Sequence, residues 1–513
     1  MSINNESRFA NYSRNMIFAL GSQILTVLLG FWSRRVFVMT LETEYLGISG
    51  LFSSILTVLS LTELGFGTAI TYALYKPIKE NDYEKIKSLM ALYKKVYWTV
   101  GLVVFVFGVS LMPCLPYLIK EMPNIPEINL IYLLFIFQSA SGYFFSYKIN
   151  FLSATQRSYQ SDFFNILCNI AQTTLQIATL IIFKNYIVYL LLAIICPFTK
   201  NVFATLFVNK QYAFLKGKAK KLDLVEKRNI TKNVFAMFLY KASSTLSATI
   251  DTVLVSTYMG IVEVGIYSNY HLIINYSDQL FTTVLGKITP SLGNFFVSND
   301  NDKKVRLFST MQLIYYWIAT YLAVGLIVLF NPLIGLWLGK EYLFDSSIVI
   351  ALVVSITLTN FQRPCALMRD ANGIFWQGKL RPLAMSIINI ISSIIFVNAF
   401  GTIGVVLGTI LAKTLTYVWY DPYIVYKHAI SDSLKKYFTK YIFHWVLLAA
   451  LSFVCYKIQS FVGLQGLGGL IFGFVQITII VNCTFLCLFF KTEEFTYFKG
   501  LFKDLIFKKI LKK

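Results

Sequence analysis

Seven positively charged side chains stand inside stretches of the sequence that are otherwise apolar. They are Arg34, Lys148, Lys200, Lys241, Lys287, Arg363 and Lys413. A charge at the centre of a lipid bilayer costs at least about 2.5–3.5 kcal/mol on insertion scales, so such residues face protein or water. A fixed cation in a partly dehydrated cleft can replace the water that is removed from a phosphate. We therefore interpret these seven as candidate ligands of an anionic substrate.

Fewer acidic and neutral polar side chains stand out in the same stretches. The candidates are Glu63, Asp251, Asp278, His271 and Asn275. The last three are four and three residues apart along the chain, which puts them on one face of a helix. A carboxylate or an imidazole within the membrane can carry a proton or hold a cation. We expect these five residues to form the polar, ion-coupling part of the cavity that the cations line.

Each of these residues also has a purely structural interpretation. Arg34 and Lys148 could extend to the membrane interface, and a single histidine such as His271 more often serves as a structural hydrogen-bonding group. Serine and threonine often link neighbouring helices. A hydrated cavity is favoured because long polar rows recur in four predicted helices. These rows are Ser49 to Glu63, Asn165 to Gln176, Ser243 to Thr252 and His271 to Thr282.

The elements that carry these residues are membrane helices. Hydrophobic residues make up 56% of the 513 residues and charged residues 14%, whereas a soluble domain carries about 25% charge. A span needs about 20 apolar residues, and this rule predicts an all-α polytopic membrane protein with about fourteen transmembrane helices. We place them near 15–40, 45–75, 90–118, 128–152, 160–183, 186–209, 230–258, 263–296, 306–330, 346–368, 382–399, 402–424, 440–457 and 466–490.

The distribution of positive charge predicts the orientation. The net charge is +21, and most of the Lys and Arg fall in loops on the same side as the termini. The other side carries only Lys120, Lys184, Lys340 and Lys457. Cytoplasmic loops of membrane proteins collect Lys and Arg, so we expect both termini in the cytoplasm and no nucleic-acid partner. The cysteines and histidines lack metal-site spacing, and we predict no metal and no cofactor.

The chain looks like two copies of one bundle. Residues 41–54 resemble residues 259–272 at an offset of 218 (259 − 41), and the offset places Ser53, Thr57 and Ser60 opposite His271, Asn275 and Asp278. Six helices per copy is an even number, so the repeat is parallel. We predict a six-helix lobe at 1–209, a basic cytoplasmic linker at 210–229, a second six-helix lobe at 230–430, and a terminal helix pair with a basic tail at 431–513.

Three segments resemble a known family. The segments are LTELGFGTAITYALYKP at 61–77 with the following KENDYEKI, IDTVLVSTYMGIVEVGIYSNY at 250–270, and ITPSLG at 288–293. They are similar to the Wzx-type flippases of O-antigen and capsule repeat units. Those flippases form the polysaccharide transporter branch of the multidrug/oligosaccharidyl-lipid/polysaccharide exporter superfamily. The resemblance covers the whole chain in length, number of spans and lobe arrangement, but it does not identify a sugar.

The resemblance implies a substrate of undecaprenyl diphosphate bearing a short oligosaccharide, moved across the bacterial cytoplasmic membrane by alternating access. It also implies that a proton or sodium ion couples transport to its gradient. The implied partners are membrane lipid, a polysaccharide polymerase and glycosyltransferases.

Several rivals stay open. The first rival is a teichoic-acid or lipid II flippase, which the sequence separates poorly from a Wzx-type flippase. A drug or cation antiporter of the same superfamily is disfavoured because the buried cations outnumber the acids. A membrane polymerase is disfavoured because no large loop carries paired carboxylates. We therefore expect no enzymatic activity.

Overall fold

The computed structural model describes residues 8–60, 66–155, 157–217, 220, 245–246, 249–286, 301–372, 374, 377–378 and 380–500. All regular secondary structure in these ranges is helical. The first half contains α1 (Arg8–Thr40), α2 (Thr43–Leu59), α3 (Phe66–Glu80), α4 (Tyr83–Ser110), the single turn α5 (Leu115–Leu118), α6 (Ile128–Ala154), α7 (Ser158–Phe183) and α8 (Tyr186–Gln211). The second half contains α9 (249–259), α10 (Ile261–Gly286), α11 (Asn301–Trp337), α12 (Ser346–Ala371), α13 (Arg381–Phe400), α14 (Thr402–His428), α15 (Leu434–Val462) and α16 (Gly466–Phe489).

Ten helices in the described ranges are long and apolar enough to cross a membrane. They are α4, α6, α7, α8 and the six helices from α11 to α16. Each overlaps one of the spans expected from the apolar runs. The prediction of an all-helical, multi-pass membrane protein is therefore confirmed, whereas the total of fourteen spans and the side of the termini stay predictions.

Two of the expected elements have different bounds. In the run at 45–75, α2 ends at Leu59 and the structure describes α3 from Phe66 onward. At the end of α2 the hydroxyl of Ser60 donates to the carbonyl of Leu56 at 2.8 Å. In contrast, α11 extends through Pro332 to Trp337. The side chain of Asn331 is held there by Tyr270 and by the carbonyl of Phe344.

The chain divides into two compact units, Met1–Ser268 and Asn269–Lys513. In the N-terminal unit, α1 packs against α7, while α4 and α8 both pack against α6. Its core is rich in aromatic rings, among them Phe52 against Tyr132 and Phe151 against Tyr212. The predicted lobe and linker bounds are finer than this division and stay predictions.

Within the N-terminal unit, the first turns of α2 and α10 cross at glycines. A Cβ atom placed on Gly47 would lie 1.9 Å from the carbonyl oxygen of Ile261, and one on Gly265 would lie 2.9 Å from Thr43. Both approaches are closer than an alanine allows, so the absence of a side chain permits the contact. Gly47 and Gly265 are also equivalent positions at the repeat offset of 218. The crossing therefore joins matching residues of the two sequence copies.

In the C-terminal unit, α14 packs against both α12 and α13, and α11 packs against α12, α15 and α16. The contact of α13 with α14 is close because Gly404 and Gly408 face Phe396 and Ser393. The terminal pair is joined to α11 by polar groups as well as by apolar packing. Trp317 donates to Asn482 at 3.0 Å, which fixes α16 against α11.

Candidate functional site

The C-terminal unit brings together a predicted coupling residue on α10 and a predicted substrate ligand on α12. Nη2 of Arg363 lies 2.6 Å from Oδ1 of Asp278, and Nε of Arg363 donates to Oδ1 of Asn360 at 2.8 Å. The guanidinium also lies over the ring of Phe281, 5.4 Å from its centroid. About a quarter of each charged side chain is exposed, 24% for Arg363 and 28% for Asp278. The ion pair is therefore accessible rather than sealed.

A second predicted cation lies on the neighbouring helix α14. Nζ of Lys413 donates to the carbonyl of Ser355 at 2.8 Å and to its hydroxyl at 2.9 Å. Lys413 is also within electrostatic range of His271 on α10. We name Asp278, His271, Ser355, Asn360, Arg363 and Lys413 the polar column, because they extend along the facing sides of α10, α12 and α14.

The polar column has two levels. His271 and Asp278 are seven residues apart on α10, about 10 Å along the helix axis at 1.5 Å per residue. The first level contains His271, Lys413 and Ser355, and the second contains Asp278 and Arg363. The column contains one arginine, one lysine and one carboxylate, so its basic side chains outnumber its acidic ones. Asn275, on the same face of α10, is exposed.

Three of the predicted cations in the N-terminal unit bind a neutral side chain. Nη2 of Arg34 donates to the hydroxyl of Ser268 at 3.0 Å. Nζ of Lys148 donates to Oδ1 of Asn209 at 2.5 Å, and Nζ of Lys200 donates to Oδ1 of Asn165 at 3.1 Å. These contacts join α1 to α10, α6 to α8, and α8 to α7. Whether these cations also hold substrate stays a prediction.

The amide row on α7 links helices. Asn169 donates to Thr26 of α1 at 3.2 Å, and Gln176 donates to the carbonyl of Tyr189 on α8 at 3.1 Å. Contacts of this kind are the hydrogen bonds that join neighbouring membrane helices. The structural interpretation therefore accounts for these two residues.

The remaining candidates fall into two groups. Asp251 on α9 is buried beside Tyr267 of α10. Glu63, Lys241 and Lys287 lie outside the described residues. For these four residues the substrate-binding or coupling role stays a prediction.

A second group of charges was not among the sequence candidates. Oδ2 of Asp421 lies 3.1 Å from Nη1 of Arg369 and 3.2 Å from Nη1 of Arg381. The guanidinium of Arg381 also lies 4.4 Å from the ring centroid of Tyr417. Asp421 is fully buried, and both arginines are nearly so. Arg369 lies near the end of α12 and Arg381 begins α13, and both bind Asp421 of α14 in a buried group that we name the clasp.

The sequence matches a family model over residues 12–293, and the family is described as polysaccharide biosynthesis protein. No curated protein gives a significant match.

Solved structures resemble the fold at low sequence identity. Lipid II flippase MurJ in an inward closed conformation has a TM-score of 0.64 and 17% identity, over 93% of this chain and 99% of that one. An inward-facing multidrug resistance MATE family transporter of the MOP superfamily has a TM-score of 0.58 and 17% identity, over 82% of this chain and 99% of that one. The Vibrio cholerae MATE transporter VcmN (a point mutant) has a TM-score of 0.56 and 12% identity, over 83% of this chain and 99% of that one. These similarities show the fold.

Proposed function

Because the chain belongs to the polysaccharide biosynthesis protein family, we propose that it is a flippase for lipid-linked oligosaccharides. Its substrate is an undecaprenyl-diphosphate-linked repeat unit of a surface polysaccharide, as in the Wzx-type flippases. It moves the unit from the cytoplasmic to the outer leaflet of a bacterial cytoplasmic membrane by alternating access. No covalent bond changes, so the protein is not an enzyme.

One observation carries this proposal. Arg363 and Lys413 lie within apolar helices and still keep contact with polar partners along one column. A positive charge within a membrane helix is energetically costly, and such residues usually mark a functional site. A diphosphate is the charged part of the proposed substrate, and guanidinium and ammonium groups are the side chains that bind phosphate oxygens.

The chemistry of the substrate suggests how the rest of the chain takes part. The polyprenyl tail stays in the lipid and requires no binding site within the polar column. The sugars cross with the diphosphate, and the candidate coupling groups are Asp278 and His271, through which a proton or sodium gradient drives the return step. A polymerase acts on the unit after it has crossed, and glycosyltransferases supply it before.

The closest rival is a flippase for a different polyprenyl-linked substrate, such as lipid II or a teichoic acid. Both rivals share the diphosphate or phosphate group, so the polar column suits them equally. A drug or cation antiporter suits the polar column less well, because that column contains two cations and one carboxylate. Its excess of positive charge disfavours a cationic drug.

Depletion of the protein in its host tests the proposal. We expect finished lipid-linked oligosaccharides to accumulate at the cytoplasmic face, and the surface polysaccharide to be lost. The wild-type gene should restore export, and Arg363→Ala should lower it at least about tenfold, since it removes a charged hydrogen-bonding group. Arg306→Ala is the matched control, because Arg306 is an exposed arginine at the start of α11.

Two results would contradict the proposal. One is single repeat units that reach the outer leaflet normally in depleted cells, as expected after loss of a polymerase. The other is full export by Arg363→Ala at wild-type protein level, which would remove the polar column as the substrate site.

A further inference from the structure

We infer that Asp278 is a resident counter-ion that the substrate displaces from Arg363. In the empty protein the carboxylate of Asp278 forms an ion pair with the guanidinium of Arg363. In the substrate-bound protein the anionic group of the substrate takes the place of that carboxylate. This inference rests on the proposed function, since it concerns how the same column binds a diphosphate. It assigns Asp278 a role in setting affinity.

The contact between the two side chains leaves room for exchange. One nitrogen of Arg363 meets one oxygen of Asp278, while Nε of Arg363 is used by Asn360. Among the residues that the structure describes, Nη1 of Arg363 and Oδ2 of Asp278 have no hydrogen-bond partner. Arg–carboxylate and Arg–phosphate pairs are strongest when two parallel bonds form. A phosphate that bridged Nη1 and Nη2 would make two bonds where Asp278 makes one.

The surroundings of the ion pair allow Asp278 to separate from Arg363. Arg363 and Asp278 are 24% and 28% exposed, so the surrounding protein does not enclose either charged group. The chain contains the opposite case in the same unit. Asp421 is 0% exposed between Arg369 and Arg381, which are 3% and 6% exposed, and an anion cannot reach that pair without unfolding its surroundings.

A displaceable counter-ion also explains how the column releases its load. A guanidinium that faced the substrate with no competitor would hold it tightly and slow its release, because charge-assisted bonds to phosphate are strong. Asp278 competes for the same nitrogen and weakens the bound state. The position of Asp278, close enough to bind but bound through one oxygen, gives that competition.

Equilibrium binding to the purified full-length protein tests the inference. The probe is undecaprenyl diphosphate in detergent, and undecaprenol is the uncharged control. We expect Asp278→Asn to bind the diphosphate about tenfold more tightly, since it removes one charged competitor. Arg363→Gln should bind about tenfold less tightly or worse. The double variant should resemble Arg363→Gln, because Asp278 acts only through Arg363.

A matched control is Asp432→Asn, which removes a carboxylate that binds Lys436 at 3.2 Å, at the start of α15. Its affinity should equal that of the wild type. If Asp278→Asn binds the diphosphate with unchanged or weaker affinity while Arg363→Gln still loses it, the counter-ion role is wrong and the proposed function stands. If the wild type does not prefer the diphosphate to undecaprenol, the proposed function itself fails.

Discussion

Two carboxylates of the C-terminal unit bind arginines in opposite surroundings. Asp278 is partly exposed and meets one arginine through a single oxygen. Asp421 is fully buried and meets Arg369 and Arg381 together. At this scale the same side chains serve two purposes, because solvent access decides whether an ion pair can exchange partners. The accessible pair suits ligand binding, and the sealed pair suits the fixing of α12, α13 and α14.

The sealed pair predicts a large stability effect. Asp421→Asn removes the buried carboxylate that Arg369 and Arg381 share, while Arg369 keeps its contact with Asp370. Removal of one partner from a buried ion pair costs about 3–5 kcal/mol. We expect the detergent-purified variant to have a clearly lower melting temperature and a lower yield. The comparison is Asp432→Asn, whose lysine partner is largely exposed, and which should shift the melting temperature little. A wild-type melting temperature in Asp421→Asn would show that the clasp contributes nothing.

The sequence selected part of the candidate site at this scale. It selected Asp278, Arg363, His271 and Lys413 because polar residues at helical spacing within apolar runs have to face protein or water. It could not pair Asp278 with Arg363, which are 85 residues apart. It also missed Arg369, Arg381 and Asp421. Residues close to a predicted loop are read as solvated charges, and only the packing of three helices shows that this group is buried.

At the scale of elements, the close crossing of α2 and α10 predicts that alanine is poorly tolerated at Gly47. A Cβ atom on Gly47 would lie 1.9 Å from a backbone oxygen that cannot move independently. We expect Gly47→Ala to destabilise the protein by about 1–3 kcal/mol, the usual cost of overpacking. Thermal unfolding of the purified variant measures the effect.

Gly142 on α6 provides the control for that substitution. A Cβ atom placed there meets nothing within 4 Å, and alanine is the better helix former by about 0.5–1 kcal/mol. Gly142→Ala should therefore be neutral or stabilising. Equal melting temperatures for the two variants would mean that the crossing relaxes without cost.

The segment after α16 is attached to α15 by a titratable contact. Nζ of Lys440 lies 2.7 Å from Oε1 of Glu494. Burial alone would raise the pKa of Glu494, but the hydrogen bond and the charge of Lys440 outweigh it, so the pKa of Glu494 is lowered. A lowered pKa contributes stability above the unfolded value of about 4.3, and that contribution is lost as the pH falls through the folded value.

Hydrogen exchange at residues 493–500 tests this contact. At neutral pH we expect faster exchange in Glu494→Gln than in the wild type, since the variant lacks the ionic contact. Below the depressed pKa the wild-type carboxyl is protonated and the difference should vanish. A difference that persisted at acid pH would assign the effect to packing instead of charge.

Element bounds were predictable where apolar runs were isolated. All ten spanning helices of the described chain fall on expected runs, because length and hydropathy decide membrane insertion. The end of α2 at Leu59 and the extension of α11 through Pro332 were not predictable. The extension of α11 is accompanied by hydrogen bonds at Asn331, which hydropathy does not record.

At the scale of the whole molecule, the charge distribution predicts the topology. The net charge of +21 arises largely in loops on the side of the termini, and such loops stay cytoplasmic. A green fluorescent protein fused at Lys513 should therefore fluoresce, and alkaline phosphatase fused after Lys340 should be active. Phosphatase fused within 210–229 is the control and should be inactive. Reversed activities would overturn the orientation.

The glycine crossing has a consequence for the origin of the chain. Gly47 meets Ile261, and Gly265 meets Thr43, so position and partner are exchanged at the repeat offset. Reciprocal contacts of this type are what two identical subunits make around a two-fold axis. A half-length ancestor could thus have assembled as a homodimer through this same contact, and gene fusion would have kept the interface. At the neighbouring pair related by the same offset, Gly50 and Ser268, the two copies carry different residues.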